Sequence, residues 1–252
     1  MIELNKIYCG NCLDILPTID SHSVDLTITS PPYNVNLGGK NKCRRISYDI
    51  YNDNQNHDNY INFLKSVFFE IYRISKIGAR TVINIGDGAN GSISTSSDVI
   101  HFMKDIGFST YTHIIWNKHQ VSNRTSWGSW LSPSCPSFPI PYEHILIFYK
   151  KSKKLNHKGI TDLLRDEFIK WAYGIWEFAP EKRQKKMGHN AIFPLELPKR
   201  CIKMLSYIND IIIDPFNGLG TTTLAAKQLN RKFIGIEISE NYCKIANERL
   251  AN

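Results

Sequence analysis

One stretch near the carboxyl end leaves the chain little freedom of fold. Ile211-Ile212-Ile213 is a continuous β-branched run, which reads as a strand buried on both faces. Asp214-Pro215-Phe216-Asn217-Gly218-Leu219-Gly220 follows. Its two glycines permit a tight turn and a close approach of backbone to a ligand. Thr221-Thr222 then opens a helix through Leu224 to Leu229, and Phe233-Ile234-Gly235-Ile236-Glu237 reads as the next strand. Strand, glycine turn, helix and strand make a βαβ unit, so the two strands lie parallel. Parallel sheets are covered by helices on both faces. The expectation is an α/β fold with a mostly parallel sheet. Glu237 ends the second strand about twenty positions after the glycines, where such units bond ribose hydroxyls.

A second stretch constrains the other end. Val24-Asp25-Leu26-Thr27-Ile28 reads as a buried strand and runs directly into Thr29-Ser30-Pro31-Pro32-Tyr33-Asn34. Two successive prolines have no N–H for a sheet ladder, so the chain leaves the sheet in a stiff, extended turn. A hydroxyl, a carbonyl outside any ladder and an aromatic ring are held at the carboxyl end of a strand, the edge at which open α/β sheets bind ligands.

Between these anchors the pattern is regular with two interruptions. Lys6 to Gly10 reads as a short strand and Cys12 to Ile19 as a short amphipathic helix. Asn59 to Ile77 has apolar residues every three or four positions, a helix that Gly78 should end. Thr81 to Ile85 reads as a strand, Asp98 to Ile106 as a helix closed by Gly107, and Tyr111 to Trp116 as a strand with His113 as a core side chain. Glu143 to Tyr149 is a further strand. Residues 35–58 and 117–141 read as long loops. The first carries Lys40, Lys42, Arg44 and Arg45, the second Arg124, Trp127 and Trp130. Long loops in compact domains serve function or are solvated, and both readings stay open. Residues 150–186 open with Lys150, Lys151, Lys153 and Lys154, close with Lys182, Arg183, Lys185 and Lys186, and hold Trp171, Tyr173 and Trp176 between them. Pro194 to about Tyr207 reads as a helix with Phe193 just before it, and Ser239 caps the last helix.

Ser30-Pro31-Pro32-Tyr33 resembles the catalytic motif of the amino-group DNA methyltransferases. Asp214 to Thr222 resembles the S-adenosylmethionine loop of the same family. The order, catalytic motif first and cofactor motif last, is that of its beta class, and the resemblance runs from about Ile7 to the end, weakest between Lys150 and Lys186. It implies one Rossmann-like S-adenosylmethionine-dependent methyltransferase domain over residues 1–252, circularly ordered, with 150–186 as a short target-recognition segment. It implies a catalytic turn of Ser30, Pro31, Pro32 and Tyr33. It implies a cofactor site of Asn11, Phe193, Asp214, Phe216, Gly218, Gly220, Thr221, Thr222 and Glu237. Asn11 stands where the family usually has an aspartate. DNA contacts fall to Lys42, Arg44, Arg45, Arg124, Trp127 and Trp130.

The chemistry implied is direct. An exocyclic base amine is a poor nucleophile because its lone pair is delocalised into the ring. Ser30 Oγ and the Pro31 carbonyl supply acceptors for its two hydrogens, Tyr33 stacks on the base, and the nitrogen displaces the methyl group in line by positioning. The base must leave the duplex first. Serine preceded by threonine is typical of cytosine-N4 enzymes, and aspartate of adenine-N6 enzymes. N4-cytosine is therefore expected, with N6-adenine as the alternative. A catalytically silent, cofactor-sensing DNA-binding module is the reading from another class, and the intact Ser30, Tyr33 and glycine loop speak against it.

Composition narrows the rest. The chain has 252 residues and a formal net charge of +8, which suits a polyanionic partner. Duplex DNA is the expected one, with a cognate restriction endonuclease as a second, and monomer and homodimer both remain open. No apolar run is long enough to span a bilayer and Met1 to Lys6 is not a signal peptide, so a cytoplasmic protein without a membrane partner is expected. The six cysteines stand at 9, 12, 43, 135, 201 and 243. Cys9 and Cys12 have no second pair to complete a zinc site, and no metal is expected. No Pro-Cys dipeptide occurs, which excludes the cysteine nucleophile of cytosine C5 methylation.

Overall fold

The computed structural model describes residues 2–34, 55–88, 93–119, 128–129, 131–136, 138, 140–181 and 193–251. Eight strands form one sheet: β1 (Lys6–Cys9), β2 (Val24–Thr29), β3 (Ser75–Ile85), β4 (Phe108–Asn117), β5 (Tyr142–Lys150), β6 (Ile175–Glu177), β7 (Ile211–Asp214) and β8 (Lys232–Glu237). Their spatial order is β1-β8-β7-β2-β3-β5-β4-β6. Only β5 runs against the others. It pairs antiparallel with β3 and β4, and the remaining pairs are parallel. The mostly parallel α/β sheet read from the βαβ unit is present. β7 and β8 pair in parallel with Ile211 opposite Lys232 and Asp214 opposite Gly235.

The helices are α1 (Cys12–Ile15), α2 (His57–Ile74), α3 (Thr95–Ile106), α4 (Arg165–Trp171), α5 (Glu196–Leu205), α6 (Thr221–Gln228) and α7 (Glu240–Ala251). They cover both faces. Leu64, Phe68 and Ile71 of α2 and Val99 and Met103 of α3 pack with Ile83, Ile85 and Phe148 on one face. Leu197, Cys201 and Ile202 of α5 and Ala225 and Ala226 of α6 pack with Leu26, Val82 and Ile212 on the other. Burying such side chains contributes about 1.5–3 kcal/mol each before chain entropy is charged against it. No described helix is long and apolar enough to cross a membrane.

Several expected boundaries shift for physical reasons. α2 stops at Ile74 and β3 begins at once at Ser75. Gly78 therefore caps no helix. It lies inside β3 at φ 83°, where a Cβ would collide with the carbonyl of Lys154. The stretch from Cys12 is one α-helical turn followed by a 3₁₀ turn over Leu16–Thr18, with Pro17 in its first residues. His113 is not a core side chain. It is exposed, its Nε2 lying 2.8 Å from Nδ1 of His144, whose Nε2 is 3.1 Å from Asp87. The reading of Gly107 holds: it closes α3 in the left-handed conformation, φ 113°.

The segment from Lys150 also divides. β5 runs opposite to its neighbours, so Lys150 lies at the sheet edge away from the carboxyl ends of β2, β7 and β8. Lys150 is buried, its Nζ 2.8 Å from the Ser75 carbonyl and also donating to the Tyr72 carbonyl at the end of α2. Burial lowers its ammonium pKa to about 8. A cation committed to a helix C-terminus in this way is not a surface contact for DNA. Trp171 and Trp176 are core residues, with the Arg200 guanidinium 5.6 and 5.3 Å from their rings. A later part of the segment, β6, returns to the other edge, pairing in parallel with Ile115 to Asn117 of β4.

Candidate active site

Because the parallel strands share a direction, β2, β7, β8 and β1 deliver their carboxyl ends to one edge. β7 is hydrogen-bonded to β2 on one side and to β8 on the other. The turn Ser30 to Tyr33 and the glycine loop after Asp214 are therefore neighbours, although 185 residues separate Thr29 from Asp214. A buried bond joins them: Thr29 Oγ1 donates to Asp214 Oδ1 at 2.7 Å. Thr29 thus has a structural task at this junction.

Asp214 is 1% exposed. Its Oδ1 also accepts from the Phe216 N–H at 3.1 Å, which fixes the start of the loop. Burial pushes its carboxyl from the ordinary 3.8 up to about 6, the hydrogen bond from Thr29 pulling the other way. A carboxyl raised in the folded state favours folding when protonated, so its contribution is complete below pH 3.8 and is lost as pH rises through about 6. Asp214→Asn lacks that loss. The stability of the Asn variant relative to the parent should therefore rise by about 2 kcal/mol between pH 4 and pH 7. Urea midpoints of the two proteins across that range check it, and a gap that does not vary with pH refutes it.

The glycine loop is braced from β8. Gly218, at φ 51°, donates its N–H to Glu237 Oε2 at 2.7 Å, and the Ser239 N–H reaches Glu237 Oε1 at 2.9 Å. Each carboxylate oxygen keeps acceptor capacity beyond one such bond, so Glu237 can hold the loop and a hydroxyl of a ligand together. Asn217 is buried, with Oδ1 accepting from Thr223 Oγ1 at 3.1 Å. A Cβ on Gly235 would lie 2.9 Å from that same oxygen, so only glycine lets β8 pass beneath the loop. Thr221 and Thr222 are buried in the first turn of α6, and Gly220 precedes it at φ 76°. Phe216 leans on Phe63 of α2, ring centroids 6.0 Å apart. Ser239 caps α7, as read, accepting from the Tyr242 N–H at 3.2 Å.

Two cofactor-loop neighbours are placed by their own elements. Asn11 caps α1, its Oδ1 accepting from the Leu13 N–H at 3.0 Å at the carboxyl end of β1. Phe193 precedes α5 and packs with the second core cluster. α5 leads into β7 and starts at this same edge, two residues later than Pro194 suggested. The six residues expected to touch DNA, Lys42, Arg44, Arg45, Arg124, Trp127 and Trp130, lie outside the described residues.

The proline turn is wired more densely than its sequence suggests. Pro31 is buried while Ser30, Pro32 and Tyr33 are half-buried. Ser30 Oγ lies 3.1 Å from the Tyr33 hydroxyl. That hydroxyl donates to Glu143 Oε2 at 3.1 Å and receives Asn84 Nδ2 at 3.2 Å. Asn84 Nδ2 also reaches Glu143 Oε2 at 2.7 Å, and Lys118 Nζ pairs with Glu143 Oε1. Glu143 starts β5, Asn84 ends β3 and Lys118 follows β4. The antiparallel β5 is what brings Glu143 to this edge, because its amino end meets the carboxyl ends of its neighbours. Sequence reasoning passed over all three residues. The signal was available in Glu143, a charge at the head of the apolar run Ile145-Leu146-Ile147-Phe148, where a buried carboxylate requires partners.

Cys12 and Cys201 take no part in this chemistry. Burial pushes both thiols up to about 12, far from the thiolate a nucleophile or metal ligand needs. Among the described residues every cysteine is free.

The site therefore joins a hydroxyl-bearing proline turn to a glycine loop across adjacent parallel strands. The same combination is found in proteins of known family. The DNA methylase family model for N6 and N4 enzymes matches residues 24–248. The Type II methyltransferase M.MjaI of Methanocaldococcus jannaschii is 31% identical, across 98% of this chain and 91% of its own. A candidate DNA modification methylase of Thermus thermophilus, TTHA0409, solved in complex with S-adenosyl-L-methionine, superposes with a TM-score of 0.75 at 26% identity over 98% of this chain and 93% of that one. The cytosine-N4-specific PvuII DNA methyltransferase shares the fold, with a TM-score of 0.72 at 19% identity over 98% of this chain and 86% of its own. With the turn, the loop and the matched length in agreement, this chain belongs to the N6/N4 DNA methylase family.

Proposed function

We propose that the protein transfers the methyl group of S-adenosylmethionine to the exocyclic N4 amine of a cytosine flipped out of duplex DNA. The observation that carries this reading is the buried Thr29–Asp214 bond. It locks the proline turn beside the glycine loop, so that an amine at Ser30 and a cofactor at Gly218 and Gly220 share one cleft edge. S-adenosylmethionine supplies an electrophilic methyl group on a sulfonium. Asp214, Phe216, Gly218, Gly220, Thr221, Thr222 and Glu237 would hold it, with Asn11 and Phe193 at its flanks. The fit rests on a backbone-lined loop bent by glycines at positive φ and on Glu237, a nearly buried carboxylate aimed into it.

The chain's own residues supply positioning. Ser30 Oγ and the Pro31 carbonyl accept the two amino hydrogens and hold the nitrogen lone pair toward the methyl group. Tyr33 lies against the base. No covalent enzyme intermediate is formed. Serine at the first position of the turn is a short neutral acceptor, which favours cytosine N4. Adenine N6 is the alternative in the same mechanism. Incubation of the protein with S-adenosylmethionine and unmethylated duplex DNA, followed by nucleoside mass spectrometry, should yield N4-methylcytosine. N6-methyladenine as the sole product replaces the target base and keeps the mechanism, and 5-methylcytosine removes both.

The DNA surface is carried by Lys42, Arg44, Arg45, Arg124, Trp127 and Trp130. The turn is pinned on its far side, where Asn34 Nδ2 donates to the Gln55 carbonyl at 2.7 Å and Asn34 Oδ1 accepts the Gln55 N–H at 2.9 Å. Neutralising Lys42, Arg44 and Arg45 together should flatten the slope of log affinity against log salt by about one unit for each phosphate that is no longer neutralised. An unaltered slope assigns those residues elsewhere.

A further inference from the structure

Methyl transfer to an amine leaves a proton to be disposed of. The nitrogen gains a carbon, the sulfonium becomes a thioether, and one of the two amine hydrogens departs as a proton. Building on the amino-group methylation argued above, we propose that Glu143 is the terminus of an oriented hydroxyl chain, Ser30 to Tyr33 to Glu143, that both aims the Ser30 lone pairs at the target amine and receives its proton.

The direction of the chain follows from counting donors. Tyr33 has one hydroxyl proton, and it is given to Glu143 Oε2 at 3.1 Å. Asn84 Nδ2, which can only donate, approaches the same Tyr33 oxygen at 3.2 Å. In the 3.1 Å contact between Ser30 and Tyr33 the phenol oxygen is therefore acceptor and Ser30 is donor. With its only proton turned toward Tyr33, Ser30 keeps lone pairs for the amine. A serine without this constraint can rotate and present its hydrogen instead. The carboxylate thus decides what the serine offers, although it lies two hydrogen bonds away.

The same chain conducts. As the nitrogen bonds to carbon, an amine proton moves to Ser30 Oγ, the Ser30 proton moves to the Tyr33 oxygen, and the Tyr33 proton moves to Glu143 Oε2. Both hydroxyls end neutral and Glu143 ends as the acid, from which the proton returns to solvent. The groups facing Glu143 fit this task. Lys118, just after β4, pairs with its Oε1. Tyr33 from the turn and the Asn84 amide from β3 fix one of its oxygens. Glu143 is 9% exposed, so bulk water does not readily substitute for it. By this account Glu143 is a positioning residue, acting on the substrate through Tyr33 and Ser30.

Two variants test the chain in the full-length protein under single-turnover conditions, where product release does not mask the transfer step. Glu143→Gln keeps the side chain's size and removes its basicity. Tyr33→Phe keeps the ring and removes the link. Each should slow methyl transfer by about 100-fold, with S-adenosylmethionine affinity unchanged by calorimetry. Should Glu143→Gln fail to fold, Tyr33→Phe still decides through its rate. Either variant transferring at the parent rate overturns the proposal, as does a loss of S-adenosylmethionine affinity that matches the loss of rate. Absence of any methyl transfer by the parent protein is a different result: it removes the amino-methylation reading itself.

Discussion

Replacing Ser30 with alanine is expected to slow methyl transfer by about 100-fold or more while leaving the cofactor site as it is. The missing group is an acceptor whose orientation is fixed by Tyr33. An acceptor held ready for developing charge contributes about 3 kcal/mol to the transition state, and each 1.4 kcal/mol is about tenfold in rate. The bond that connects the turn to the glycine loop is made by Thr29, not Ser30, so the cofactor should bind Ser30→Ala as it binds the parent. Single-turnover transfer and calorimetric titration with S-adenosylmethionine separate the two effects. Equal losses in both would mean that Ser30 shapes the loop, and an undiminished rate would take it out of the mechanism.

The second large effect is on the fold. Gly220→Val should destabilise the protein by about 3–5 kcal/mol, a large part of the 5–15 kcal/mol that holds a typical domain together. Gly220 stands at φ 76°, and a Cβ there would lie 2.9 Å from Ala246 Cβ of α7 and 3.1 Å from Thr223 Oγ1 of α6. Left-handed backbone costs an L-residue about 1–2 kcal/mol, more for a β-branched one, and overpacking adds about 1–3. The sequence suggested a different cause, that the ligand itself needs the space. The structure assigns the space to the packing of α7 on the start of α6. Gly220→Val combined with Ala246→Gly should therefore regain the overpacking share and leave the backbone share, read as an intermediate urea midpoint. No recovery in the double variant would return the glycine to the ligand.

What could be read beforehand was local. The βαβ unit announces itself because apolar runs, glycines and a terminal acid occur in register within 27 residues of one another, Ile211 to Glu237. The turn at Ser30 is equally legible, since two prolines permit few conformations. What stayed hidden was long-range. Nothing near Glu143 in the chain indicates that an antiparallel strand will carry it to Tyr33, 110 residues away. Lys150 looks like the first member of a surface run, yet Tyr72 and Ser75 carbonyls enclose it. Thr29 resembles a marker of the target base, and its hydroxyl is spent on Asp214. Periodicity reports which face a residue takes. It does not report which distant strand arrives opposite.

The sheet order bears on how such a protein is made. Among the described residues β1 lies at an edge of the sheet and pairs with β8, Lys6 opposite Ile234. On one flank β2 waits for β7, Leu26 opposite Ile212. Pairings of this span must meet the entropy of closing very long loops before any contact rewards them, which makes them slow to form. A nascent chain that has already exposed Val24 to Thr29 has no strand to set beside that flank until some 185 further residues have been synthesised. Pairing on that flank is thus deferred until β7 has been made, and until then the apolar margin of β2 is open to aggregation.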